Sequence, residues 1–189
     1  MSGEVEAILR EIIAACESMV GLPYDGEPVD QLQHALQSAA LARAESADAE
    51  LVVAALLHDI ARAPAVAGVI YDEGDAHHGD LGRAWLEPRV GTRIASVAAR
   101  HVAAKRYLVA TDPAYREALS TVSRMTLDHQ GGPMSAAEVT AFEAEDDWGD
   151  AVRLRLWDDR AKDPDAVVPG LDAYADDLRV AISRRRDHT

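Results

Sequence analysis

The sequence predicts an all-α fold, built as a single-domain helical bundle over residues 1–189. Alanine, leucine and valine dominate, and aromatic residues make up only 5% of the chain, a balance that favours helix over sheet. Apolar residues recur at helical spacing in segment after segment, as they do on helices facing a core. No segment alternates apolar and polar residues for long, so no extended strand is predicted. A chain of 189 residues is long enough for one substantial core, and no repeat, low-complexity tract or linker divides it.

The elements follow in order. Val5–Val20 is amphipathic and stops at Gly21-Leu-Pro23. A turn-like loop, Tyr24-Asp-Gly-Glu-Pro28, leads to Asp30, an N-cap for a helix from Gln31 to about Ala44. Asp48 caps the next helix, whose apolar run Leu51–Leu57 leads to His58-Asp59. Residues 63–76 are rich in Pro, Gly and Asp and read as a loop. Helices are then predicted over 78–87, 92–109, 113–127, 135–145, 148–161 and 171–185, with breaks at Asp112-Pro113 and Gly131-Gly-Pro133.

Charge narrows the partners. The formal net charge is −14, which argues against nucleic acid or an anionic membrane, since both call for basic patches. A small anion still fits, provided a local cluster of donors receives it. The lone cysteine, Cys16, permits no internal disulfide and fits a reducing cytoplasm. Its spacing with Ile8, Ile12, Ala15 and Met19 places it in the core. The N-terminus is acidic and lacks a secretory apolar region, and no apolar stretch approaches the roughly 20 residues that span a bilayer. These points lead to a cytoplasmic protein, as a monomer or small homo-oligomer.

The pair His58-Asp59 aims an imidazole and a carboxylate at one point, at the end of an apolar helix. Each further candidate has a plain structural reading. His34 in Gln31–Ala40 and His101 in Ile94–Ala104 suit hydrogen-bonded core residues, and Asp158 beside Asp159 suits a surface carboxylate. Together they point elsewhere. Several helices each bring one imidazole or carboxylate on an otherwise apolar face, and a buried carboxylate is costly unless paired or metal-bound. The chain has seven histidines, and a two-metal site consumes four of them. Such ligands suit iron, manganese or zinc, and ligand type alone does not choose among them.

The spacing His34…His58-Asp59…Asp158 resembles that of the HD-domain superfamily, which holds metal with a His…His-Asp…Asp set. More narrowly, the chain resembles its mixed-valent di-iron oxygenases that cleave carbon–phosphorus bonds, the PhnZ/TmpB type. The resemblance covers nearly the whole chain, through Tyr24-Asp-Gly-Glu27, Gln31-Leu-Gln-His-Ala-Leu-Gln37, Leu56-Leu-His-Asp-Ile60 and His78-Gly-Asp-Leu-Gly82. It continues through His101-Val-Ala-Ala-Lys-Arg-Tyr-Leu108, Leu119-Ser-Thr-Val-Ser123, Gln130-Gly-Gly-Pro-Met134 and Leu156-Trp-Asp158. The bare His-Asp pair is weakly specific, whereas the blocks at 101–108 and 130–134 are far more so.

The resemblance implies one iron bound by His34, His58, Asp59 and Asp158. It implies a second bound by His78 and His101, with Asp59 bridging. His78 is chosen over His77 because the family's ligand precedes a glycine by four residues, here Gly82. His77 then becomes a loop residue or a supporting donor, and Asp159 faces solvent or supports Asp158. The resemblance also makes Lys105 the main charged contact for a phosphonate, with Ser123, Thr126 and Gln130 as neutral donors. Position 105 lies four residues after His101, so both share a face of a continuing helix, although a solvated lysine beside Arg106 has the same spacing. In similar enzymes the loop pair Tyr24 and Glu27 closes the second iron and moves away when substrate arrives. An ordinary turn around Gly26 and Pro28 reads equally well from the residues alone.

Two features depart from the family: the loop from 63 to 77 is somewhat shorter than in a relative, and one residue differs beside the substrate. Arg62 stands where relatives have a histidine near substrate, and it suits either a bidentate anion contact or pairing with an acidic neighbour. The implied reaction is oxygen-dependent cleavage of a small 1-hydroxyphosphonate, such as 2-amino- or 2-trimethylamino-1-hydroxyethylphosphonate, to phosphate and a carboxylic acid. Its implied cofactors are two iron ions as a mixed-valent Fe(II)/Fe(III) pair, with dioxygen as co-substrate. The alternative is an HD-type metal-dependent phosphohydrolase, in which metal-activated water attacks a small phosphate ester.

Overall fold

The computed structural model describes residues 2–24, 26–67 and 78–185, without the side chains of Ser2 and His78. Helix α1 (Ser2–Glu17) leads into a two-stranded antiparallel ladder, β1 (Pro23–Tyr24) and β2 (Glu27–Asp30), with Tyr24 opposite Glu27 and Pro23 opposite Asp30. Helices α2 (Gln31–Ala44) and α3 (Ala49–Leu57) follow, then a 3-10 turn at Ile60–Arg62 and a short α4 (Pro64–Ala67). The chain resumes with α5 (His78–Val90), α6 (Thr92–Ala99), α7 (His101–Thr111), α8 (Pro113–Ala118) and α9 (Thr121–His129). It closes with α10 (Ala136–Glu143), α11 (Trp148–Arg160), a 3-10 turn at Leu171–Tyr174 and α12 (Ala175–Arg184). The all-α prediction holds.

Both predicted caps are in place. Asp30 Oδ1 accepts the Gln33 N–H at 2.7 Å while Gln33 Oε1 accepts the Asp30 N–H at 3.0 Å, a reciprocal capping box. Asp48 Oδ1 accepts the Leu51 N–H at 2.9 Å, which occupies one of the first-turn donors that lack a partner within the helix.

Helix α3 is the axle of the bundle. Every residue from Leu51 to Leu57 is buried, as expected of a helix that is apolar all round. Helices α2, α6, α11 and α12 pack against it. Its side chains join Leu9, Ile12, Leu86, Ile94, Trp157 and Leu178 in the main core. Cys16 lies in that core with no exposure, and burial pushes its thiol up to about 12. Among the described residues no helix is long and apolar enough to cross a membrane.

Six features differ from the sequence reading. The first helix lies earlier than predicted, ending at Glu17, and the segment read as a turn at 24–28 pairs as a short ladder across Gly26, whose φ is +79°. The predicted helix 92–109 breaks at Arg100, and the helix predicted at 113–127 breaks at Leu119 and Ser120, where the Ser120 hydroxyl caps α9. The loop read at 63–76 is helical at Pro64–Ala67, with 68–77 outside the described residues. The last predicted helix opens as a 3-10 turn. The breaks at Arg100 and at Leu119-Ser120 arise where capping or tertiary contact overrides a continuous apolar pattern.

One glycine fixes how closely two helices approach. A Cβ on Gly79 would stand 2.8 Å from the Ala99 carbonyl oxygen, well inside contact distance, so α5 meets the end of α6 only because position 79 lacks a side chain. The variant Gly79→Ala should lose about 1–3 kcal/mol of stability. Urea denaturation with unchanged slope checks this, whereas wild-type stability would show that the two helices separate freely.

Candidate metal centre

Three histidines reach the centre from three different helices, and each is oriented in the same way. His34 Nδ1 donates to the Ala161 carbonyl at 2.9 Å, His58 Nδ1 to the Ala55 carbonyl at 2.9 Å, and His101 Nδ1 to the Ala98 carbonyl at 2.7 Å. A carbonyl only accepts, so each Nδ1 carries a proton, and each ring in its neutral form presents a bare lone pair on Nε2. All three acceptors belong to helix ends. Ala55 is in the last turn of α3, Ala98 in the last turn of α6, and Ala161 caps α11. Helix ends leave carbonyls without partners inside the helix, and here imidazoles fill them. The break at Arg100 therefore has a structural use: it exposes Ala98 to His101.

The three Nε2 atoms converge on carboxylates. His34 and His58 Nε2 are 3.0 Å apart. With both protons already on Nδ1, this contact sets two lone pairs against each other and is no hydrogen bond between neutral rings. A cation between them resolves the repulsion: two nitrogens about 2.1 Å from one metal, at right angles, stand about 3 Å apart. Asp158 Oδ1 lies 3.4 Å from His34 Nε2. Asp59 turns Oδ2 toward His58 at 3.8 Å and Oδ1 toward His101 Nε2 at 3.5 Å, so it stands between two imidazoles. Ligand atoms of His34, His58 and Asp59 all lie within 4.8 Å of one another. The donor set fits a metal, and the C-terminal ends of α3, α6 and α11 add negative potential that favours a cation.

Electrostatics agree with that fit. Burial pushes His34 down to about 4, despite the opposing pull of Asp158, so the ring stays neutral and able to ligate. Burial alone would raise Asp158, but the Arg155 charge outweighs it and holds the carboxyl well below its usual range. Arg155 Nη1 donates to Asp158 Oδ2 at 2.8 Å, which leaves Oδ1 to face the centre. Burial, reinforced by Asp158 and Asp59, raises the Tyr24 phenol well above its ordinary value. Tyr24 stays protonated, donates to Asp158 Oδ1 at 3.1 Å and stacks on His34 with centroids 3.9 Å apart.

Beside the centre lies a cavity lined by Arg62, Lys105, Ser123, Thr126, Gln130 and Lys162, among others. Lys105 is only 2% exposed. Burial, then the nearby Arg155 charge, lowers it to about 7, and its Nζ donates to Thr126 Oγ1 at 2.9 Å. Arg62 places Nε 3.3 Å from Asp59 Oδ2. The Gln130 side-chain oxygen is buried without a hydrogen-bond partner among the described residues. Glu27 accepts from Ser120 at 2.8 Å and from Lys162 at 3.1 Å.

The structure thus gathers Tyr24, Glu27, His34, His58, Asp59, Arg62, His101, Lys105, Ser123, Thr126, Gln130 and Asp158 around one centre and its cavity. His78 opens α5, but its side chain, like all of His77, lies outside the described residues. Of the two readings of Asp159 the structure favours the supporting one: it is half-buried and paired with Tyr115 and with Arg155, which also holds Asp158. The sequence reading missed Arg155, Lys162 and Ser120. Arg155 had a usable signal, because Arg155, Asp158 and Asp159 stand at i, i+3 and i+4 on one helix face.

The neutral, buried His34 makes a prediction about pH. Its folded value of about 4 lies below the ordinary 6.5, so between those limits the unfolded chain binds more protons. The stability contribution is complete above about pH 6.5 and is lost as pH falls toward 4, by about 3 kcal/mol. Urea denaturation of metal-free protein across this range should show the drop, with a smaller one in His34→Gln. Equal slopes in both proteins would contradict it.

The chain is similar to named proteins over most of its length. It is 38% identical over 148 residues to the 1-hydroxy-2-(trimethylamino)ethylphosphonate dioxygenase (glycine-betaine-forming) of Leisingera caerulea, covering 77% of this chain and 76% of that protein. It is 37% identical over 163 residues to the hydroxymethylphosphonate dioxygenase of Gimesia maris, covering 82% and 78%. An uncharacterized protein of Acanthamoeba polyphaga mimivirus is 34% identical over 170 residues, covering 88% and 78%. No family model matches the chain. With the metal-ready donors and the cation-lined cavity already described, these similarities identify the chain as a member of the hydroxyphosphonate dioxygenase family.

Proposed function

We propose that this chain catalyses oxygen-dependent cleavage of the carbon–phosphorus bond of a small 1-hydroxyphosphonate, giving phosphate and a carboxylic acid. The observation that carries this reading is the juxtaposition of three Nε2 lone pairs with a cation-lined cavity in a chain of net charge −14. His34, His58, Asp59 and Asp158 would hold one iron, and His101 and His78 the other, with Asp59 between them. When bound, a mixed-valent iron pair supplies the redox chemistry that dioxygen requires.

The protein's own residues bind, orient and exclude. Lys105 meets the phosphonate as an ammonium, with Ser123, Thr126 and the Gln130 amide as neutral donors. Because burial lowers Lys105 to about 7, an entering dianion favours its protonated form and draws a proton onto Nζ. Arg62 stands beside Asp59 in the wall of the same cavity. Tyr24 keeps its proton on the Asp158 side and covers one face of His34, which keeps water from that ligand.

The test is incubation of iron-reconstituted protein with hydroxymethylphosphonate and its 2-amino- and 2-trimethylamino-substituted 1-hydroxyethyl analogues, following oxygen and phosphate together. One phosphate should appear for each dioxygen consumed. In Lys105→Ala, KM should rise roughly 10–100-fold through loss of a charge-assisted contact. Phosphate release that proceeds equally well without oxygen would replace this reading with phosphohydrolase chemistry.

A further inference from the structure

Lys162 belongs to none of the motifs that point to the centre, yet its ammonium stands in the cavity. Its Nζ donates to Glu27 Oε1 and to Ser123 Oγ, both at 3.1 Å, and lies 5.6 Å from the Tyr24 ring centroid. Its side chain is 12% exposed. It shares the cavity wall with Lys105 and Gln130.

The two halves of the Lys162–Glu27 pair are held very differently. On one side of Lys162, the Ala161 carbonyl accepts His34 Nδ1 at 2.9 Å. On the other, the Asp163 N–H donates to Gln37 Oε1 at 3.1 Å, and the Asp163 carbonyl accepts Gln37 Nε2 at 2.8 Å. Gln37 is itself buried on α2. The backbone carrying the ammonium is therefore tied to the bundle on both flanks. Glu27 instead opens a ladder of two and four residues, beside Gly26 at φ +79°. A two-stranded ladder this short has little stability of its own, and the side-chain bonds to Ser120 and Lys162 hold the carboxylate in place. The ammonium is the fixed partner and the carboxylate the movable one.

We propose that Lys162 is a substrate-binding residue, with its ammonium and the Ser123 hydroxyl exchanging the Glu27 carboxylate for the oxygens of an incoming phosphonate. Glu27 is then a built-in competitor. It neutralises a nearly buried ammonium, which would be costly to leave unpaired, until a dianion replaces it. The phosphonate takes Lys105 and Lys162 from opposite ends of Ser123 and Thr126, and a monoanionic carboxylate gives way to a doubly charged group with more acceptor oxygens. The inference rests on the phosphonate reading of the site and adds to it a second cation.

Isothermal titration of anaerobic, iron-loaded protein with hydroxymethylphosphonate, and separately with inorganic phosphate, tests it, with values normalised to bound iron. Lys162→Met should weaken binding about tenfold or more, the loss of one charge-assisted contact, and Lys162→Arg should recover most of it. Glu27→Gln should tighten binding by removing the competitor, and that gain should vanish in the Glu27→Gln, Lys162→Met double variant. A merely structural Lys162 would not produce this change of sign. Wild-type affinity in Lys162→Met, or weaker binding in Glu27→Gln, would overturn the inference. If Lys105→Ala loses binding while Lys162→Met keeps it, only the role of Lys162 falls. If the wild-type protein binds no phosphonate, the functional reading falls and takes this inference with it.

Discussion

The bonds from three imidazole Nδ1 groups to three helix-terminal carbonyls are the constraint on which the rest of the centre depends. They use carbonyls that helices α3, α6 and α11 leave without internal partners, so fold and site complete each other. By taking the Nδ1 proton, each carbonyl fixes the tautomer and turns the ring so that Nε2 faces inward. The cost falls on the metal-free protein, where neutral lone pairs of His34 and His58 face each other at 3.0 Å. A cation at that point would convert a repulsive contact into shared ligation, and metal binding would thereby contribute to folding.

Charge is arranged in opposition to the chain as a whole. The protein carries −14 overall, yet Arg62, Lys105, Arg155 and Lys162 all face the cavity. Three of them have an acidic counterweight. Arg155 is spent on Asp158 and Asp159, Arg62 lies against Asp59, and Lys162 holds Glu27. Lys105 differs, because it donates to the neutral Thr126 hydroxyl and burial lowers its pKa. This distribution separates cations that pair with the carboxylates of the candidate centre from cations available to an anionic ligand.

Local chemistry was legible in the sequence where its partners are local. Asp30 and Asp48 announce their helices because a cap acts over three residues. The His101–Lys105 spacing places both on one face because α7 begins at His101 itself. The His58-Asp59 pair is legible as a site because an apolar helix ends there in two polar groups. What stayed hidden depends on distance along the chain. His34 meets Ala161 across 127 residues and Glu27 meets Lys162 across 135, and no periodicity reports such contacts. The break at Arg100 was hidden for a related reason: its apolar flanks continue the helical pattern, and the Ala98 carbonyl at the break accepts from His101.

The most direct test of the central claim is X-ray diffraction from iron-loaded crystals at wavelengths either side of the iron absorption edge. The account predicts two anomalous peaks: one against the Nε2 atoms of His34 and His58, a second against Nε2 of His101, and Asp59 between them. The three Nδ1 atoms should remain on the carbonyls of Ala55, Ala98 and Ala161. A single peak, or iron bound outside this imidazole cluster, would contradict it.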